Sequence, residues 1–171
     1  MLKRFMIVAL VMALSLAAKE SRASDTLELS SDNLTHIWRN INEVILVLSA
    51  NIALDDEWIE DLRNKQPAPT GVAADELAAF YQKLNMLLAS SDLKPVDAPL
   101  SGTTDDTSAL YMSSGVMLDN LIFYLIESDS LASVALYYGG DAVHGASHKD
   151  VVAEMNLANQ RLDAYIVESD L

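Results

Sequence analysis

Between Leu34 and Ile52, eight large apolar residues (Leu34, Ile37, Trp38, Ile41, Val44, Ile45, Leu48 and Ile52) fall at steps of 3, 1, 3, 3, 1, 3 and 4. Such steps keep every side chain on one face of a helix with 3.6 residues per turn. A strand, whose side chains alternate with period two, cannot hold them together. The same period returns further along. Leu77, Phe80, Leu84, Leu87 and Leu88 mark a helix over about 72–91, and Val151, Met155, Leu162, Tyr165 and Ile166 mark another over about 147–169. Between them, "VMLDNLIFYLIE" is apolar almost all round, which predicts a helix over 106–138 that is either the most buried element or the cover of a subunit interface. The first stripe extends through Trp58 and Leu62, giving a helix over 32–64, with "LDDE" as an alternative restart at Asp55. "NKQPAPTG", "LKPVDAPLSGTTDD" and the Gly139-Gly140 pair separate these segments. No stretch alternates convincingly with period two. The expectation is an all-α chain folded as a four-helix bundle.

Residues 72–93 laid on 150–171, an offset of 78, match at Glu76/Glu154, Gln82/Gln160, Leu84/Leu162, Ser91/Ser169, Asp92/Asp170 and Leu93/Leu171. The same offset sets "NEVILVL" on "NLIFYLI". Two duplicated helical hairpins account for this, and so does the general likeness of amphipathic helices.

The chain opens "MLKRFMIVALVMALSLAAKESRASD". Lys3 and Arg4 precede an apolar run from Phe5 to Ala18, and Ser21 and Ala23 stand where a signal peptidase reads small residues. Fourteen helical residues span roughly 21 Å, short of the ~30 Å hydrocarbon layer. A Sec-type signal peptide cut after Ala23 is therefore expected, leaving one domain over 24–171 in the periplasm or outside the cell, with no stable membrane insertion. That domain carries 7 basic and 24 acidic residues, a net charge of −17. Such a field repels nucleic acid and anionic membranes and favours a basic partner. The absence of cysteine excludes thiolate catalysis, thiolate metal sites and stabilisation by disulfides.

Three groups of residues are candidates for function. "DDEWIED" gathers Asp55, Asp56, Glu57, Glu60 and Asp61 around Trp58, an acidic edge with an aromatic anchor suited to a protein partner, or else a solvated face around a core tryptophan. Asp119 and Asn120 interrupt the most apolar stretch, as the polar floor of a ligand pocket or as a register-fixing contact. In "GGDAVHGASHKD", Asp141, His144 and His148 are a candidate metal set. The competing reading makes Ser147-x-x-Asp150 a capping box that starts the last helix and leaves the histidines in a connector. His36 stands alone. No G-x-S-x-G, Walker, dinucleotide or repeated Glu-x-x-His pattern is present, so neither an enzyme nor a cofactor is expected. The sequence thus points to an exported acidic bundle that binds a protein, as an inhibitor, immunity or accessory protein of the bacterial cell envelope. The alternative is a periplasmic bundle that binds a small ligand or metal. Homo-oligomerisation is open.

Overall fold

A computed structural model describes residues 29–53, 55–97, 106–128 and 142–171. These form five helices: α1 (Ser31–Ile52), α2 (Asp56–Asn64), α3 (Ala73–Ser90), α4 (Thr107–Ser128) and α5 (His148–Glu168). There is no strand among the described residues. The expected signal peptide over 1–23, the continuation of the third helix from 129 to 138, the Gly139-Gly140 stop and Asp141 lie outside them.

Local chemistry explains the helix starts. At α1 the backbone N–H of Ser30 donates to Asn33 Oδ1 at 3.0 Å, and at α5 that of Ser147 donates to Asp150 Oδ2 at 2.7 Å. Both are the reciprocal half of a capping box, so the Ser147-x-x-Asp150 reading holds. Asp106 Oδ1 accepts the N–H of Ser108 at 2.9 Å at the head of α4. The 32–64 helix is in fact two helices, α1 and α2. The backbone leaves helical geometry at Ala53 (ψ 124°), and Asp55 Oδ1 accepts the N–H of Trp58 at 2.7 Å. An aspartate that caps a new helix competes with continuing the old one, and Asp56 and Glu57 then sit favourably in a first turn.

The long helices run in the same direction. Asp32 meets Ala146, and Arg39 and Asn42 meet Glu154, so residue numbers rise together along α1 and α5. Glu76 meets Asn156 and Asn159, and Lys83 meets Asn159 and Asp163, so α3 also runs with α5. Trp38 against Ser114 and Tyr124 against Tyr165 give α4 the same sense. Adjacent helices of a hairpin would be antiparallel. The expected hairpins are therefore replaced by parallel helices.

Repetition persists in a changed form. The six buried residues of α3, from Ala73 to Leu88, fall at an offset of 78 on buried residues of α5, from Val151 to Ile166. The two helices also end alike. Asp92 and Asp170 both have φ of 56°, and Leu93 and Leu171 donate back to Leu88 and Ile166. The nine buried residues of α4, however, match buried residues of α1 at an offset of 76 (Leu110 on Leu34, Leu121 on Ile45). A two-residue slip turns a helix by roughly 200°. The alignment of "NEVILVL" with "NLIFYLI" thus sets exposed Glu43 on buried Leu121.

The main core joins α1, α3, α4 and α5 around Trp38, Phe80, Leu121 and Met155, and a smaller cluster of Leu46, Ile59 and Leu62 seats α2. The most enclosed helix is α5, buried without a break from Val151 to Met155. By contrast α4 leaves part of its circumference open. It is also a helix long and apolar enough to cross a membrane by length and composition, with half of it buried inside the fold.

Candidate functional site

The open side of α4 carries Met112, Val116 and Phe123, exposed by 59 %, 43 % and 47 %. Steps of four and seven place them in one row along the helix. Beside the row lies the segment Lys94 to Asp97, and the two enclose a groove of about 490 Å³ whose floor includes Ser113 and Met117. The facing segment is tied to α3. The Val96 N–H donates to Asn85 Oδ1 at 2.8 Å, and the Tyr81 hydroxyl donates to Val96 O at 3.2 Å. The groove thus has a helix for one wall and a pinned loop for the other. No basic residue occurs on α4, which bears Asp119 and Glu127.

Of the pair expected to floor a pocket, Asn120 lines this groove and donates from Nδ2 to Val116 O at 2.8 Å, while Asp119 points outward and is exposed. Neither residue is buried in the core, because the side of α4 that bears them is the uncovered one.

At the acidic edge, Asp55, Asp56, Glu57, Glu60 and Asp61 are all exposed. Trp58 is half-buried and packs with Leu46, Ile59 and Leu62, so much of its ring holds α2 in place. Arg63 pairs with Glu60, which neutralises part of the edge.

His144 and His148 are both exposed, the first in the connector and the second as the opening residue of α5. His144 lines a second cavity of about 490 Å³ with His36, Asp32 and Tyr111, to which His148 does not contribute. Asp32 Oδ1 there accepts the N–H of Ala146 at 2.6 Å. Among the described residues no three His, Asp or Glu side chains are grouped so as to hold a metal ion. Asp141, the third member of the expected set, lies outside those residues. The structure therefore places His144 and His36, 108 residues apart in the chain, on the wall of one cavity, where the connector packs against the head of α1.

Polar ties inside the core were not visible as a set in the sequence. Asn42 Nδ2 donates to the carbonyl and to Oε2 of Glu154, whose Oε1 accepts from Arg39. Asn159 Nδ2 likewise donates to the carbonyl and to Oε2 of Glu76. The pairing of Glu76 with Glu154 in the offset-78 alignment was the available signal. Arg161, buried on α5, donates to Leu62 O and Arg63 O, the last carbonyls of α2, where a cation is favoured. Burial lowers its pKa, against the opposing pull of Glu43 and Glu154. Thr35 Oγ1, Asn42 Oδ1 and Ser49 Oγ, seven residues apart on α1, are buried with no hydrogen-bond partner among the described residues and form a polar seam along that helix. The paired groups among these join helices, and none of the residues lines the groove.

Two tyrosines add a pH-sensitive contact. The Tyr124 and Tyr165 hydroxyls lie 3.3 Å apart, with rings edge to face at 6.5 Å. Burial, then the hydrogen bond to Tyr124, raises the Tyr165 pKa well above that of a free phenol. A raised folded-state pKa stabilises the fold fully below the unfolded value of about 10, and the benefit is lost as pH climbs toward the folded value. Above pH 10 this residue should cost about 1.4 kcal/mol of stability per pH unit, because the unfolded chain has released a proton that the native one keeps. Urea titrations at stepped alkaline pH should show that slope, reduced by one proton's worth in Tyr165→Phe. An unchanged slope would place the hydroxyl in water.

No known protein family matches this chain, nor does any characterised protein or solved structure.

Proposed function

We propose that this protein is an exported, acidic four-helix bundle that acts by binding another polypeptide, and that the groove on α4 is where it does so. In this reading residues 1–23 are a signal peptide and 24–171 a single domain in the periplasm or outside the cell. An inhibitor, immunity or accessory protein of the cell envelope has this character. The carrying observation is the row of Met112, Val116 and Phe123. Large apolar side chains scattered singly over a surface need no explanation, but an aligned row beside a fixed wall is the form of a docking site. The acidic edge around Trp58 ranks second as a binding surface, since the indole is already engaged in seating α2.

The comparison can be made in the producing cell with a photo-crosslinking residue at one of two positions, Val116 in the groove or Glu57 on the acidic edge. A discrete protein adduct from position 116 and none from 57 is expected. An adduct from 57 alone would move the binding surface to α2. Absence of adducts from both would remove polypeptide binding as the function.

A further inference from the structure

The groove's occupant follows from two independent features, given that the groove is a docking site. The first concerns shape. At the offset of 76 that superposes the buried faces of the two helices, Val116 and Asn120 of α4 correspond to Asn40 and Val44 of α1. Those two are buried inside the fold, and Val47, the counterpart of Phe123, packs against the core. The middle of the flank left open on α4 is thus covered when this helical unit stands in the first position, while His36, the counterpart of Met112, stays half-exposed there. A row of about eleven residues along α4 measures roughly 17 Å, which matches about three turns of a second helix. A helix presenting aliphatic or aromatic residues at steps of three and four fills such a groove.

The second feature is charge. The chain carries 25 acidic and 11 basic residues. In the described residues, Arg39, Arg63 and Lys83 stand in ion pairs and Arg161 is buried, so much of the positive charge is already engaged. On the groove's own elements Lys94 is outnumbered by Asp97 and Glu127. A segment flanked by lysine or arginine is drawn to this surface, and a second copy of the same acidic chain or an anionic lipid surface is repelled.

We infer that the α4 groove, on the reading that it binds polypeptide, is built for a cationic amphipathic helix of another protein. The apolar face of that helix seats on Met112, Val116 and Phe123, and its basic flank faces Asp97 and Glu127.

Fluorescence anisotropy with three labelled peptides tests this on the chain as its producing cell leaves it. One is a helix of about 18 residues made of Leu, Ala and Lys with all Lys on one face. The second has Glu at each Lys, and the third has the first composition in a non-amphipathic order. The amphipathic Lys peptide should bind at least about tenfold more tightly than either control and weaken as salt rises from about 0.05 to about 0.5 M. Phe123→Ser should weaken it about tenfold with no loss of melting temperature, since that side chain is half exposed. Asp97→Lys with Glu127→Lys should reverse the preference between the Lys and Glu peptides. Equal binding of the amphipathic and reordered Lys peptides would reduce the effect to surface charge and overturn the inference. So would equal binding of the Glu peptide, absence of binding, or a dimer in sedimentation that Phe123→Ser dissociates. The two readings fail separately: a position-116 adduct to a partner with an acidic docking segment would overturn the cationic helix and leave the groove standing.

Discussion

Trp38→Ala should lower the stability of the fold by about 4 kcal/mol, near the upper end of large-to-small core substitutions. Trp38 is fully buried and meets Phe80 of α3 edge to face, with ring centroids 5.1 Å apart. Its Nε1–H donates to Ser114 Oγ of α4 at 3.0 Å, so one side chain on α1 holds two other helices. Truncation opens a cavity between them and strands the Ser114 hydroxyl in an apolar layer. Smaller changes separate the two contributions. Trp38→Phe keeps most of the packing and should cost about 1–2 kcal/mol for the lost hydrogen bond, whereas Ser114→Ala leaves the indole N–H unsatisfied, at about 1–3 kcal/mol. Urea unfolding followed by circular dichroism measures all three, and the double variant Trp38→Phe/Ser114→Ala should cost less than the two single changes added together. A loss below about 1 kcal/mol for Trp38→Ala would mean that the three helices do not converge on this ring.

What the sequence made legible follows from which interactions are local. Helix existence comes from periodicity and capping, both read within a few residues. The stripe from Leu34 to Ile52, the Asp106 start and the Ser147–Asp150 box therefore correspond to α1, α4 and α5. The break at Ala53 was present in the residues as well. Asp55 stands three residues before the N–H of Trp58, yet the apolar stripe runs across the junction, and the stripe does not weigh one cap against one continued turn. Enclosure was harder to read. On α4, apolar residues surround the axis, so nothing in the pattern says which side neighbours will cover, and the covered side excludes Met112, Val116 and Phe123. On α5 the opposite holds. Glu154, Asn159 and Arg161 look like solvent positions and are buried, because each finds a partner far away in sequence. The candidate site divides in the same way. The acids beside Trp58 are exposed, as acidic side chains generally are. That His144 and His36 line one cavity, and that Lys94–Asp97 lies beside α4, depends on how the connectors fold, which helical periodicity does not encode.

Glu154 is where those distant partnerships concentrate, and its replacement separates charge from hydrogen bonding. The carboxylate is 11 % exposed. It accepts from Arg39 at 3.1 Å and from Asn42 at 3.2 Å, while the Glu154 carbonyl accepts from the same Asn42 amide at 3.1 Å. Its charge, with that of Glu43, also offsets the desolvation of buried Arg161. Glu154→Gln preserves an oxygen for Asn42 and removes the charge. Arg39 is more than half exposed and can return to water, so the ion pair itself contributes little and a loss of no more than about 1 kcal/mol is expected. Glu154→Ala also removes the acceptor and leaves a void between α1 and α5 with a buried guanidinium less well compensated, which should cost about 3 kcal/mol. The readout that distinguishes this from generic core damage is local. Because Arg161 donates to Leu62 O and Arg63 O, weakening its charge environment should loosen α2 first. A helix of nine residues has little stability of its own and depends on such docking. Amide exchange over 56–64 should therefore accelerate in Glu154→Gln while the amides of α3 keep their protection. Uniform acceleration across all helices would mean that Glu154 contributes only to global stability and that the α5-to-α2 link through Arg161 carries no separate weight.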